Sequence, residues 1–504
     1  MTSLLGSIIA LYLLAIFALS LYAGRRVKSE EDYIVAGRRL PLSLAWATLL
    51  ATWFGAATIL GAAEAARDEG VRGTILDPFA SGAALIVAGL FFARPLWNMR
   101  LLTIADFYGR AFGRRAEVVA SIILVPGYFG WIAAQYLALA GIQGTFFAIE
   151  PVAGILIAAA IILAYTLLGG MWSVTLTDAL QMAVVLVTLG ILGAVTFAQL
   201  GGGAVGSGIG RLLTDTPGDL LTFWPEAGAA AAIVWAGTWA SGVFGNIPGQ
   251  DLMQRVFASR DATTAVRACV LAGIIYIGFG LIPVGLGLAS RLLFPESGAG
   301  EILTVLASQY LRPGLTVVFV VSLISIIVST ATSAVLSPAT ILGHNLLARL
   351  RPFRARPLFV DRLSVALVTL ASVATAFSGR TILELLELSL SIGVVSLFVP
   401  LVAGLYGNPR CERQAILAMV FGTAVWLVRE GMEGFVLPTS ESAVEAGLIY
   451  AEHVAVYLGP ERLASVWGFV AYAFALVPSA ISGTAASLLG YIIGGIERGS
   501  RPDR

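Results

Sequence analysis

Apolar runs of about twenty residues, the length a helix needs to cross a bilayer, recur along almost the whole chain, and short polar stretches between them hold most of the charge. Thirteen such runs can be drawn: 4–24, 41–66, 76–96, 117–147, 152–170, 174–199, 227–248, 266–290, 314–345, 361–379, 383–406, 413–430 and 466–494. The first is long enough to span and lacks a cleavage-site pattern, so it reads as a helix rather than a signal peptide. The pattern predicts an all-α polytopic membrane protein of about thirteen transmembrane helices.

Two spans are not plain lipid crossings. Within span 2, residues 47–66 read ATLLATWFGAATILGAAEAA, with Gly55 and Gly61 interrupting it, hydroxyls at Thr48, Thr52 and Thr58, and Trp53 near its middle. Glycine loosens a helix by about 1 kcal/mol against alanine, and backbone freed at membrane depth must line a cavity or be buried in protein. Span 7 carries Gly237, Gly242, Gly245, Pro248 and Gly249. It lies five spans after span 2, so the two begin on opposite faces. Broken helices at matching positions of two oppositely oriented units are the sequence mark of an inverted-repeat transporter. The expected organisation is a single transmembrane domain over 1–504. An extra helix and loop (1–40) precede a first five-helix repeat (41–199), an inverted second repeat (227–406) and two further helices (413–496).

Charge sets the orientation. Of the 31 Lys and Arg residues, 23 fall in alternate loops beginning with 25–40, and eight fall on the other side. The basic side is cytoplasmic by the positive-inside rule, so the N-terminus is expected outside and the C-terminus inside.

Composition narrows the function classes. The chain is 58% hydrophobic and 12% charged, against about 25% charged in soluble domains. Its net charge of +1 gives no electrostatic footprint for nucleic acid. Cys269 and Cys411 are too few for a disulfide framework or a thiolate metal site, and His344 and His453 lie in or beside loops. No nucleophile–base pair or metal-ligand cluster falls within a span, so no enzyme is expected.

Four segments resemble the sodium:solute symporter family. They are YAGRRVKSEEDYIVAGRRLP at 22–41, LTIADFYGRAFGRR at 102–115, AYTLLGGMWSVTLTDALQ at 164–181 and QDLMQRVFASRDATTA at 250–265. That resemblance implies a leucine-transporter-like fold importing a small solute with Na⁺. The runs ATWFGAATILGAAEA, GLFFARP and GYFGWIAAQYLALAG are similar to the high-affinity choline transporter branch, whose cation-binding tryptophans match Trp53 and Trp131. A third tryptophan of that branch is Gly249 here, and its ninth-helix acidic residue is Thr332.

The resemblance implies a sodium site with hydroxyl ligands from Ser329 and Thr330 and backbone carbonyls from Ile326, Thr48 and Ala51. Oxygen ligands suit a hard cation, although Ser and Thr also bond their own helix or join helices. Trp53 and Trp131 lie too deep for the interfacial belt. They suit an organic cation, an apolar ligand or plain packing. Phe54, Gly55, Trp235 and Trp239 are further solute candidates from the broken spans. Asp178 and Glu64 are candidates for the ion pathway, each also readable as an ion pair or solvated rim group. Asp251 and Arg255 read as a gate-side pair or as loop anchors.

The expected function is sodium-coupled import of a small organic solute by alternating access, with choline or another quaternary amine as substrate. An amino acid, a sugar or a carboxylate stays open. So does a different class, a symporter-like solute sensor or an uncoupled facilitator. Na⁺ is the expected coupling ion, with no organic cofactor. The partners are the solute, Na⁺ and the lipid bilayer, with no nucleic acid and no obligate protein partner. The expected location is the plasma membrane, as a bacterial inner membrane.

Overall fold

A helix is the one open-chain way to bond every backbone group inside lipid, and the runs of Leu, Ala, Ile and Val fold accordingly. The computed structural model describes residues 29–225, 228–295, 302–353, 357–407, 411–436 and 478–496, with part of 6–22. Among them, seven helices are long and apolar enough to cross a membrane, or eight when one bent pair counts as a span. Described helices fall on each of spans 2 to 12. Span 13 is described from Ser479 to Ile496 only, and most of 431–465 lies outside the described residues.

Spans 5 and 6 run as one helical stretch, Pro151–Leu200. The Tyr165 hydroxyl nevertheless donates to Thr177 Oγ1 at 2.8 Å, twelve residues on. Twelve residues of straight helix cover about 18 Å, beyond the reach of a tyrosine, so the chain turns between them.

The described residues form two compact units. The first comprises 1–107, 124–223 and 249–389 and contains the bent pair, Leu42–Trp53 and Ala57–Glu69, which meet at 62°. Spans 6 and 9 are joined by Thr188 and Ser322, 2.8 Å apart. The Tyr12 hydroxyl of span 1 contacts Ser325 and accepts from Gln181 Nε2. The loop before span 2 is stitched to the loop after residue 249 by backbone alone. Leu40 N–H donates to the Ala258 carbonyl and Arg260 N–H to the Leu40 carbonyl, both at 3.0 Å.

The second unit comprises 108–123, 224–248 and 390–504. It holds the Ala229–Phe244 half of span 7, followed by a turn over 245–248 that matches the expected interruption. Phe244 stacks on Phe398 at 4.8 Å, and Trp426 Nε1 donates to Ser391 Oγ at 2.8 Å.

Two features escape the sequence pattern. Val205–Asp215 and Ile302–Tyr310 are helical, though both lie in loops by composition. Val205–Asp215 buries Leu212 against Leu200, Leu220, Val284 and Leu288, so a single apolar contact face carries it. Among the described residues, five π-helical turns also interrupt the spans, at Ala57–Gly61, Ile75–Ala80, Ala88–Ala93, Leu342–Leu346 and Gly393–Phe398. Such turns concentrate at functional positions.

On the polar side of the first unit, Asp106 accepts from the Thr103 and Leu102 amides at 2.9 and 3.2 Å and from Asn345 Nδ2 at 2.8 Å. His344 Nε2 lies 3.6 Å away. Burial alone would raise the Asp106 carboxyl, but His344, Thr103 and Asn345 together hold it below its ordinary value. A depressed carboxyl stabilises fully above its unfolded pKa of about 4, and that stability is lost as pH falls through the lower folded value. Asp106→Ala should therefore cost about 1–3 kcal/mol at pH 7, read as a lower melting temperature in detergent. The gap to wild type should close below pH 4.

Candidate functional site

The bend in span 2 follows from rerouted backbone bonds. Helical geometry ends at Phe54, with φ −74° and ψ 64°. The Gly55 amide, which an unbroken helix would give to the Ala51 carbonyl, donates to the Trp53 carbonyl at 2.8 Å instead. The Ala56 amide donates to Gln135 Oε1 at 3.1 Å, away from the Thr52 carbonyl. Thr330 Oγ1 from span 9 fills the gap by donating to the Ala51 carbonyl at 3.0 Å. Glycine at 55 is required by space. A Cβ there would sit 2.7 and 2.8 Å from Thr330 Cγ2 and Oγ1 and 3.0 Å from Gln135 Oε1.

One turn away, Asp178 is fully buried. Thr48 Oγ1 donates to its Oδ2 at 2.5 Å, and Ser329 Oγ donates to its Oδ1. Thr48, Ala51, Ser329, Thr330 and Asp178 thus lie in one buried cluster of hydroxyls, a freed carbonyl and a carboxylate. Ile326 is buried one turn earlier in the continuous helix Pro313–Ile341. One detail differs from expectation. The Thr48 carbonyl lies inside an intact helix, where it accepts from Thr52 Oγ1 at 2.7 Å, so Thr48 turns its hydroxyl rather than its carbonyl to the cluster.

The two central tryptophans are linked through Asp251. Trp53 Nε1 donates to Asp251 Oδ2, and the Tyr128 hydroxyl donates to Asp251 Oδ1 at 2.5 Å. Tyr128 packs on Trp131 with ring centroids 6.0 Å apart. Asp251 and Arg255 are not a simple side-chain pair. Arg255 is buried, and it donates to the Asp251 carbonyl at 3.0 Å and to Ser333 Oγ at 2.7 Å. Phe54 is buried edge-on to Tyr276 at 5.5 Å.

Other candidates stand apart. Trp235 and Trp239 belong to the second unit, in a run of indoles with Trp224 at 5.7 and 5.9 Å. Glu64 is half-buried in the first turn of Ala62–Glu69. Thr332 bonds its own helix, donating to the Val328 and Ser329 carbonyls at 2.8 Å. Three polar groups at the bend went unnoticed in the sequence: Asp77, Tyr276 and Gln135. The rule that singled out Asp178, an ionisable residue inside a span, applies equally to Asp77.

The model of the sodium:solute symporter family matches residues 33–422. The chain belongs to that family. High-affinity choline transporter 1 of Caenorhabditis elegans is 27% identical over 464 residues, covering 85% of this symporter and 77% of that protein. The human high affinity choline transporter 1 is 26% identical over 445 residues, covering 82% and 75%. Among solved structures, a Na⁺-coupled sialic acid symporter in a substrate-bound outward-open state superposes with a TM-score of 0.69 at 18% identity, covering 96% of this chain and 98% of that one. The fold is shared with that transporter, and this symporter is a multi-pass plasma-membrane protein rather than an enzyme.

The contact at Gly55 yields a test. Gly55→Ala forces a methyl into Thr330 and Gln135, disturbing the hydroxyl that satisfies Ala51. The half-saturating Na⁺ concentration for thermal stabilisation of the purified symporter should rise at least tenfold, about 1.4 kcal/mol. The Na⁺-free protein should keep its gel-filtration profile.

Proposed function

We propose that this symporter couples inward Na⁺ flow to uptake of a small organic solute by alternating access. The observation that carries the reading is Thr330 donating to the freed Ala51 carbonyl while Ser329 and Thr48 share Asp178. A Na⁺ ion at these oxygens takes over the bonds that now close the cluster and braces the bend in its binding geometry. The adjoining faces of Trp53, Phe54 and Gly55, with Trp131 across Tyr128 and Asp251, then receive the solute. Ion and solute affinities become reciprocally coupled, typically by 1–3 kcal/mol.

An amine-bearing solute, choline or another quaternary amine, fits the buried indoles beside the Asp251 carboxylate. The choline transporters among the relatives support the same class. The proposed topology has thirteen transmembrane helices with the N-terminus outside and the C-terminus inside, and inverted repeats at 41–199 and 227–406. One repeat bundle rocks against the other to open the site inward.

Reconstituted symporter should accumulate radiolabelled choline in vesicles under an inward Na⁺ gradient, and not under a K⁺ gradient of equal size. Ser329→Ala with Thr330→Ala should remove that Na⁺ dependence or raise its half-saturating concentration tenfold or more. Uptake that ignores both the gradient and the double substitution would establish an uncoupled facilitator instead.

A further inference from the structure

Five oxygens from three spans converge on the other side of the bend, apart from the Asp178 cluster. The Thr58 hydroxyl lies 3.1 and 3.0 Å from the two Asp77 carboxylate oxygens, and the Tyr276 hydroxyl lies 2.9 and 3.0 Å from the same pair. Tyr276 also reaches the Trp53 carbonyl at 3.0 Å, and Thr58 reaches it at 3.3 Å. The two hydroxyls contact each other as well. All three side chains are withdrawn from solvent, with Thr58 at 0%, Tyr276 at 1% and Asp77 at 3% exposure.

Counting protons exposes a shortage. These oxygens make seven short contacts, yet a threonine and a tyrosine supply only one hydroxyl proton each. Even with each hydroxyl proton shared between the two Asp77 oxygens, the contacts of the hydroxyls with the Trp53 carbonyl and with each other have no hydrogen between them. A buried carboxylate without a compensating positive charge is costly, and the Asp77 partners among the described residues are neutral hydroxyls. Arg255 does not supply the missing charge, since it lies with Asp178, Asp251 and Tyr128, and two carboxylates with one guanidinium already sum to −1.

The donor set identifies the missing group. Every ligand is oxygen, which suits a hard cation, and the close mutual packing of the oxygens suits a bare ion rather than an organic ammonium. A single carboxylate with neutral hydroxyls and a carbonyl favours a monovalent ion. No group of three acidic, histidine or cysteine side chains able to hold a divalent metal occurs among the described residues.

We propose that Asp77, Thr58, Tyr276 and the Trp53 carbonyl form a second sodium-binding site. The inference rests on the reading of this chain as a sodium symporter. It adds that two ions load per cycle, one on the Ala51 carbonyl and one on the Trp53 carbonyl, clamping the bend from both sides. Because Phe54 packs edge-on against Tyr276, the second ion also fixes the ring that borders the solute face.

The test uses the purified full chain, ²²Na⁺ binding at saturation, and melting temperatures in NaCl against N-methylglucamine chloride. Wild type should bind two Na⁺ per chain, and Asp77→Asn should bind one. The asparagine amide brings two N–H donors to a cluster that lacks them. The Na⁺-free melting temperature of Asp77→Asn should therefore equal or exceed that of wild type, while its Na⁺-induced shift shrinks. Thr58→Val and Tyr276→Phe, which remove a ligand and keep the shape, should each weaken binding of the second ion at least fivefold.

Ser329→Ala with Thr330→Ala is the separate arm for the first site. If that pair loses an ion while Asp77→Asn and Thr58→Val keep the wild-type number, the second site is overturned and the symport reading stands. If wild type binds no Na⁺, both fail. A pH-dependent change in Asp77→Asn without a change in ion number would assign Asp77 a proton and equally overturn the proposal.

Discussion

The hydrogen bond from Thr330 Oγ1 to the Ala51 carbonyl is the contact on which the site depends. A broken helix inside a membrane protein leaves carbonyls with no amide to receive, and each orphan costs about 1–3 kcal/mol. Here the break between Phe54 and Ala56 is compensated from two neighbours, Thr330 on span 9 and Gln135 on span 4, while the Trp53 carbonyl takes the Gly55 amide and Tyr276 of span 8 packs beside it. The bend is therefore a tertiary structure rather than a local one. It holds only while those helices keep their places, and so it can report their movement.

That dependence explains the small residues around it. Gly55 leaves space for Thr330 to come close, and Gly130 allows span 4 to approach the Leu385 carbonyl, which a Cβ would meet at 2.5 Å. Close van der Waals packing at small residues is one of the forces that associate helices in lipid. The same close approach puts hydroxyls within bonding distance of freed backbone, so packing and ligation share their cause.

Much of this was legible in the chain. Span positions follow from hydropathy, and Gly55 with the hydroxyls around it marks the bend in span 2, whereas Gly61 stays helical and does not interrupt the span. The Asp77–Tyr276 contact was not, because the partners are 199 residues apart and neither carries a local signal of the other. The bond from Trp53 to Asp251 was hidden for a similar reason. Asp251 sits in a stretch that reads as a polar loop, and only the fold buries it. The Val205–Asp215 helix escaped notice because a Gly-rich stretch with a single apolar face resembles a loop until its contact surface is known.

The stitch between Leu40 and residues 258–260 has a consequence for substitution. Both of its bonds run from main chain to main chain, so they are indifferent to which side chains occupy those positions. Substitution at Leu40, Ala258 or Arg260 therefore leaves the two bonds in place, although the segments around them, 22–41 and 250–265, carry family-like sequence. Proline is the exception at 40 and 260, where it would delete a donor. The register of this seam is set by atoms that nearly every residue shares.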